Sequence, residues 1–166
     1  MASSLHEHVE SLLADLRSEV RRHYGDRLVS LVVFGSMGRG TPRPDSDLDA
    51  LIVADDLPNG RIARVQEFAP VEAALGPRLS DGRRAGFFTE CSPVFKTPQE
   101  LQAGSPLLLD MVDDAKVLYD REGFFSGAME QLKERLTRLG ARRLWRGNAW
   151  LWDLKPDYRP GDVFEL

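Results

Sequence analysis

The sequence lacks the features that would support a disulfide framework, a membrane span or a secreted protein. Its 166 residues contain a single cysteine, Cys91, which excludes a disulfide within the chain. No apolar run approaches the about 18 residues of a membrane-spanning helix, and the N-terminal residues lack the basic and apolar regions of a signal peptide. We therefore expect no membrane association and a cytoplasmic location.

The chain also lacks the net positive charge that is typical of proteins that bind nucleic acids. The chain has 22 Lys and Arg against 26 Asp and Glu, which gives a net charge of −4. Because contacts of basic side chains with phosphates dominate the affinity for duplex DNA, long duplex DNA is not the expected partner. With 42% hydrophobic and 29% charged residues, the composition is that of a folded protein rather than a disordered chain or a coiled coil. We expect one domain over residues 1–166.

The C-terminal part of the chain, from about residue 133, is basic in contrast to the rest. Eight basic and three acidic side chains lie between Lys133 and Arg159. Such a segment, with aromatic residues between the charges, can bind phosphates and stack bases. The interpretation that composition favours is a solvated helix face followed by three tryptophans in the core, Trp145, Trp150 and Trp152.

Hydrophobic spacing predicts an α+β fold around one small sheet. Residues 3–24 have the periodicity of an amphipathic helix, and the apolar runs 28–34 and 48–53 are typical of strands. The connection between these strands is too short for a crossover helix, so we expect them to be adjacent and antiparallel, or joined through one helical turn. Further helices are expected over 61–75, 97–103, 105–112 and 123–139, a third strand over 85–91 and 94–95, interrupted at Pro93, and a fourth over 115–119.

The segment from Gly35 to Val53, GSMGRGTPRPDSDLDALIV, carries the chemistry. Gly35 and Ser36 follow directly on a strand, where backbone N–H groups and a hydroxyl can approach an anion, and phosphate is the natural guest. Asp47 and Asp49 stand two apart on the next strand, so both carboxylates lie on one face, about 6.6 Å apart along the strand. Carboxylates at that spacing can share a divalent cation, and Mg²⁺ prefers a few carboxylates together with substrate phosphate oxygens. The segment therefore predicts phosphoryl or nucleotidyl transfer.

Two other phosphate-binding motifs do not fit this segment. A P-loop requires a lysine that the segment lacks. A dinucleotide-binding fingerprint requires glycines that open a full helix and one acid about twenty residues further on, whereas this sequence has paired acids much closer.

The Gly-Ser pair, the ten intervening residues and the Asp-x-Asp, framed as VVFGSMGRG and SDLDALIV, resemble the nucleotidyltransferase superfamily. That superfamily includes the DNA polymerase β-like palm, and the closest resemblance within it is to the minimal nucleotidyltransferases of prokaryotes. The resemblance implies a small mixed β-sheet with helices packed on one side. It also implies that Gly35 and Ser36 hold the terminal phosphates of the nucleotide, and that Asp47 and Asp49 bind two Mg²⁺ ions.

Members of the superfamily usually add a third carboxylate from a later strand, which shares a metal ion and activates the acceptor hydroxyl. Glu90, in FFTECSPVF, is the best placed acid for this role. Asp81 and Asp110 are alternatives, and a site without a third ligand is another. Arg39 could lie over the triphosphate and stabilise the charge that develops on the leaving pyrophosphate, with Arg43 as a second candidate.

The resulting expectation is an Mg²⁺-dependent enzyme that moves AMP from ATP to a hydroxyl acceptor, a small molecule or a protein, and releases pyrophosphate. The resemblance offers a second hypothesis, an antitoxin that binds a HEPN-type toxin and acts either by adenylylating it or by binding alone, with the basic C-terminal segment as the partner surface. A third hypothesis is a nucleotide-binding module without transfer activity.

Overall fold

The computed structural model describes residues 2–146 and 149–163. None of the helices among these residues is long and apolar enough to cross a membrane. Short 3₁₀ segments cover Gly25–Arg27, Pro106–Asp110 and Arg121–Gly123. The helices and strands follow in the order α1 (Ala2–Tyr24), β1 (Leu28–Val33), α2 (Gly35–Gly38), β2 (Leu48–Ala54), α3 (Arg61–Arg84), β3 (Cys91–Lys96), α4 (Pro98–Gln102), β4 (Lys116–Asp120), α5 (Phe124–Leu139), β5 (Arg142–Arg146) and β6 (Ala149–Asp153).

Four strands form a mixed sheet in the order β3-β2-β1-β4. Strand β1 is antiparallel to both of its neighbours, β2 and β4, whereas β2 and β3 are parallel. Helix α3 is the crossover that a parallel pair requires. The predicted antiparallel pairing of the first two strands and the α+β fold with a small mixed sheet are therefore confirmed.

Helices cover both faces of the sheet, whereas the sequence predicted helices on one side. The long helices α1 and α3 pack together on one face, where their core includes Leu16, Phe68 and Ile52. The opposite face is covered by α4, Pro106–Asp110 and α5, with Val32 and Phe125 in its core. Because both faces are covered, β1 and β2 are almost continuously apolar rather than alternating, with Ser30 and Asp49 as the polar exceptions.

Helix α3 and strand β3 differ from their predicted bounds. The helix continues past residue 75 to Arg84, although it contains Pro70 and Pro77. Both prolines are exposed, so the carbonyl groups that lose their helical partners face solvent. The strand begins at Cys91, and residues 85–90 form a turn and an irregular segment instead of its first half. Pro93 lies within β3, opposite Ala50 of β2.

The start of α4 has the predicted capping box. Thr97 accepts a hydrogen bond from the Glu100 backbone N–H at 3.2 Å, and the Glu100 carboxylate accepts one from the Thr97 N–H at 2.9 Å. The same carboxylate forms a bidentate pair with Arg64 of α3, at 2.7 and 2.9 Å. Arg64 also donates to the Phe95 carbonyl at 3.3 Å, so it ties α3, β3 and α4 together.

The basic C-terminal segment differs from the favoured interpretation. Helix α5 ends at Gly140, whose φ of +67° stops the helix, and β5 and β6 then form an antiparallel hairpin. Trp145 is 63% exposed rather than in the core, and Trp152 is partly buried. The structure does not describe the side chain of Trp150, so its predicted burial is not tested. The basic residues 142–146 thus lie on a strand, where neighbouring side chains alternate between two faces.

Candidate nucleotide-binding site

The site is built where the end of β1 meets the beginning of β2. The Phe34 N–H donates to the Asp49 carbonyl at 3.0 Å, which fixes the turn into α2 against the second acid of the motif. Gly35 then adopts a φ of +66°, a left-handed conformation that glycine accepts at little cost. The predicted phosphate turn and the predicted acid pair are therefore joined by the backbone itself.

Gly35 also lies against the side chain of Asp49. A Cβ atom at residue 35 would lie 2.3 Å from the Asp49 Oδ2, far inside van der Waals contact. Glycine is needed here both for its backbone conformation and for the space that it leaves to the carboxylate. An anion that approaches the backbone of residues 35 and 36 is consequently close to the Asp49 oxygen.

The pKa of Asp49 reflects its burial and the charges around it. Burial raises the pKa of Asp49, and the negative charge of Asp47 raises it further. A hydrogen bond with Ser92 and the positive charge of Arg39 act in the opposite direction on the same pKa. Two carboxylates that repel one another at a partly buried site are stabilised by a cation between them.

Ser46 is a residue of this site that the sequence reasoning missed. Its side chain is buried, and its Oγ lies 2.8 Å from the Ser36 Oγ and accepts a hydrogen bond from the Arg43 N–H at 2.9 Å. Ser46 thus holds the loop 39–46 against the phosphate turn. The signal in the sequence was its place immediately before Asp47, but a serine in a proline-rich loop is equally typical of an ordinary turn.

Glu90 lies at the same end of the sheet as the acid pair, just before β3. Its carbonyl accepts a hydrogen bond from the Leu48 N–H at 2.8 Å, and its side chain is exposed. One residue further along this face, Ser92 pairs with Asp49 in the parallel register. Within residues 2–146 and 149–163, no three His, Cys, Asp or Glu side chains converge closely enough to form a metal cluster. The role of Glu90 as the third carboxylate therefore stays a prediction.

The remaining candidates occupy different surroundings. Arg39 follows α2 and lies 3.9 Å from the Asp114 carboxylate, and its positive charge acts to lower the pKa of Asp49. The Arg43 side chain is 79% exposed and pairs with Asp45 at 3.5 Å. Asp110 lies near Arg39, whereas Asp81 pairs with Arg84 on the exposed end of α3.

The donor set fits a divalent metal ion. Asp47 and Asp49 supply hard oxygen ligands, the kind that Mg²⁺ and similar cations take, and the space that Gly35 leaves keeps the Asp49 Oδ2 accessible from the phosphate turn. Cys91 is half-buried, and burial raises the pKa of its thiol to about 11, so at neutral pH it is present as the protonated thiol, a poor nucleophile.

A glycine and serine turn beside a carboxylate pair, at one end of a small mixed sheet, defines a nucleotidyltransferase. The family model of the nucleotidyltransferase domain matches residues 13–86. The protein adenylyltransferase MntA of Thermococcus cleftensis is 35% identical over 80 residues, which are 48% of this chain and 77% of that relative. A putative protein adenylyltransferase of Methanocaldococcus jannaschii is 28% identical over 133 residues, 79% of this chain and 85% of the relative.

The chain therefore belongs to the nucleotidyltransferase family and is a nucleotidyltransferase. Such enzymes move a nucleoside monophosphate from a triphosphate to an acceptor, typically with a divalent metal ion. The expected family and class of reaction are confirmed.

Two solved structures are similar to the chain at low sequence identity. A toxin-antitoxin crystallised with AMP-PNP is 18% identical, with a TM-score of 0.46 over 75% of this chain and 92% of that one. A mutant of the toxin-antitoxin MntA-HpeT is 19% identical, with a TM-score of 0.45 over 73% of this chain and 87% of that one. At TM-scores this low, neither likeness bears on the substrate or the partner of this chain.

Proposed function

We propose that the protein transfers AMP from ATP to a hydroxyl group of a protein acceptor, with Mg²⁺ as the metal and two ions at the site. The observation that carries the proposal is the close approach of Gly35 to the Asp49 Oδ2, which supports one site made of a proposed phosphate-binding turn and a proposed metal ligand. The choice of a protein as acceptor is supported by the names of the two relatives, both of which are described as protein adenylyltransferases.

In the proposed reaction, Gly35 and Ser36 bind the β- and γ-phosphates, and Arg39 balances negative charge on the leaving group. The acceptor oxygen forms a bond to the α-phosphorus, the bond from that phosphorus to the β-phosphate oxygen breaks, and pyrophosphate leaves. Glu90 takes the proton of the acceptor hydroxyl. Asp47 and Asp49 would hold the metal ions, whose contribution when bound is to lower the charge repulsion between the triphosphate and the attacking oxygen.

The experiment that tests this proposal compares two labels of ATP. Wild-type protein is incubated with Mg²⁺, cell lysate and ATP labelled at either the α- or the γ-phosphate. AMP transfer predicts that protein acceptors retain the α-label and not the γ-label. Retention of the γ-label would indicate phosphoryl transfer instead, and label only in small molecules would refute a protein acceptor.

Matched variants test the assignment of the acid pair. The exchanges Asp47→Asn and Asp49→Asn should each abolish labelling, because each removes a charged metal ligand. Asp45→Asn is the control, since Asp45 is an exposed acid of the same loop that pairs only with the exposed Arg43 in the contacts described above. If Asp45→Asn lowers labelling as much as Asp47→Asn does, general loss of loop charge explains the result and the metal assignment fails.

A second candidate function is an antitoxin that binds and adenylylates a HEPN-type protein. The observation that favours it is the hairpin β5–β6, on which Leu144, Trp145 and Leu151 are 41%, 63% and 40% exposed beside basic residues. Apolar groups rimmed by charge are typical of interaction surfaces. Co-expression with a HEPN-type protein encoded beside this chain should give a complex that Trp145→Ser weakens. Labelling of unrelated lysate proteins with no such complex would favour a free-standing enzyme.

If ATP binds in a metal-dependent way and no acceptor is labelled, the protein is a nucleotide-binding module. The labelled-ATP experiment, the co-expression and a measurement of ATP binding together separate the three hypotheses.

A further inference from the structure

A cluster of charges links the phosphate turn to the C-terminal hairpin through Asp114. This residue precedes β4, its side chain is 15% exposed, and its backbone lies directly on α2. A Cβ atom at Gly38 would lie 2.5 Å from the Asp114 carbonyl oxygen, so only glycine permits this packing. Asp114 is thus held against the element that carries the proposed phosphate-binding residues.

Two arginines share the same carboxylate oxygen of Asp114. The Arg143 Nη2, on β5 of the hairpin, lies 2.5 Å from the Asp114 Oδ2, a short charge-assisted hydrogen bond. The Arg39 Nη1 lies 3.9 Å from the same oxygen, within ion-pair range and beyond hydrogen-bond range. Arg143 therefore holds the carboxylate closely, and Arg39 is attracted to it without being fixed.

The surroundings of this pair are strongly charged. Asp113 lies 4.0 Å from Arg143 and 3.3 Å from Lys133. Asp110 lies close enough for both Arg39 and Arg143 to lower its pKa, against the larger effect of burial, which raises it. Arg143 also stacks over the Trp145 ring, 5.4 Å from its centre, which ties its position to the hairpin.

We propose that Arg143 is a positioning residue for nucleotide binding, which holds Asp114 so that Arg39 is left to bind the triphosphate. This inference rests on the proposed role of Arg39 in ATP binding. Without Arg143, the Asp114 carboxylate draws Arg39 into a bidentate pair and away from the phosphates. The hairpin then governs the affinity of the site for nucleotide, although it contributes no group that touches the substrate.

The test measures the affinity for ATP with Mg²⁺, and again with EDTA, alongside the KM and kcat of transfer. Arg143→Met should raise the Kd and the KM for ATP about tenfold, the effect expected for one charge-assisted hydrogen bond. The matched control is Lys133→Met, which removes a positive charge from the same cluster but pairs with Asp113. It should change the Kd by less than about twofold, as expected for a surface pair.

A double variant separates the proposed route from a simple loss of positive charge. Asp114→Asn combined with Arg143→Met removes both the carboxylate that would draw Arg39 away and the arginine that holds this carboxylate. The Kd for ATP should therefore return to within about threefold of wild type. In Arg39→Met, a further Arg143→Met exchange should have no additional effect on the Kd. The inference would be overturned if Asp114→Asn with Arg143→Met bound ATP as weakly as Arg143→Met alone. It would also be overturned if the losses of ATP affinity from Arg39→Met and Arg143→Met were additive.

Folding and the proposed function are controlled separately. If Arg143→Met does not fold, as judged by thermal unfolding, Asp114→Asn alone decides: because it removes the carboxylate that competes for Arg39, it should bind ATP at least as tightly as wild type, and weaker binding overturns the inference. A wild-type protein that binds ATP and labels no acceptor would contradict the proposed transfer, while the Kd comparison still tests Arg143. Wild-type protein that binds no ATP would overturn both.

Discussion

The Cα of Gly35 faces the Oδ2 of Asp49 so closely that any side chain at residue 35 would collide with this carboxylate. We predict that Gly35→Ala abolishes metal-dependent ATP binding, because the new methyl group displaces Asp49. Gly40→Ala is the control: Gly40 also has a positive φ, +73°, but a Cβ there meets nothing within 4 Å. Both variants should lose about 1 kcal/mol of stability through the left-handed backbone. Equal losses of ATP affinity in the two would show that backbone strain, and not the contact with Asp49, governs binding.

The contact between Ser36 and Ser46 predicts a specific effect on nucleotide binding. Ser46→Ala removes the hydroxyl that lies 2.8 Å from the Ser36 Oγ and that accepts from the Arg43 N–H. We expect the KM for ATP to rise about fivefold, the cost of about one hydrogen bond, with kcat nearly unchanged. Titration of ATP against each variant checks this. In a Ser36→Ala background, Ser46→Ala should have a smaller effect, and fully additive effects would show that Ser46 does not act through Ser36.

Glu90 and Ser92 are predicted to differ in which step they affect. Glu90→Gln should leave the Kd for ATP unchanged and lower the rate of transfer by about 100-fold or more, the contribution of a general base. Ser92→Ala should weaken divalent-cation binding, because the hydrogen bond that lowers the pKa of Asp49 is lost. Single-turnover kinetics and a metal titration distinguish the two. An unchanged transfer rate in Glu90→Gln would remove Glu90 from the reaction.

The pair between Arg64 and Glu100 predicts a pH-dependent contribution to stability. The Arg64 guanidinium, with the Thr97 N–H, holds the pKa of Glu100 at about 2, below its usual 4.5. Since this pKa is depressed in the folded protein, the stabilisation is present above about pH 4.5 and disappears as the pH falls towards 2. Glu100 is 41% exposed, so solvent screens the pair and we expect Glu100→Gln to cost only about 1 kcal/mol at pH 7.

Urea unfolding between pH 7 and pH 2 measures this contribution. The difference between wild type and Glu100→Gln should shrink as the pH falls through that range. Glu19→Gln serves as the control, because Glu19 forms an exposed pair with Arg22 within one helix and should give a small difference at each pH. A difference for Glu100→Gln that stays constant with pH would mean that the carboxylate charge is not what stabilises this junction.

Local patterns predicted the central strands of the fold and singled out the acid pair as the candidate site. Strands β1 and β2 are recognisable because burial on both faces leaves most of their residues apolar, and the acid pair stands out within that apolar context. The capping box at Thr97 was also predictable, because its hydrogen bonds join residues within one turn of the chain.

What the sequence could not predict depends on contacts between distant residues. Helix α3 tolerates Pro70 only because that face of the helix meets solvent, and exposure is a property of the folded protein. The neighbours of Asp49 and Asp114 come from other strands, so no local spacing reveals Ser92 or Arg143. The tryptophans suggested a core because such residues are usually buried, whereas Trp145 lies on an exposed hairpin.

Pro93 has a consequence for how the protein behaves at high concentration. Strand β3 is an outer strand of the four-stranded sheet. The Glu90 carbonyl faces β2, since it accepts a hydrogen bond from the Leu48 N–H. Because backbone groups alternate in direction along a strand, the backbone nitrogen of residue 93 points away from β2. Proline has no N–H at that position to offer to another chain, and Arg64 occupies the carbonyl of Phe95 along the same edge. The β3 edge of the sheet is therefore a poor template for a further strand, which opposes edge-to-edge aggregation at that edge.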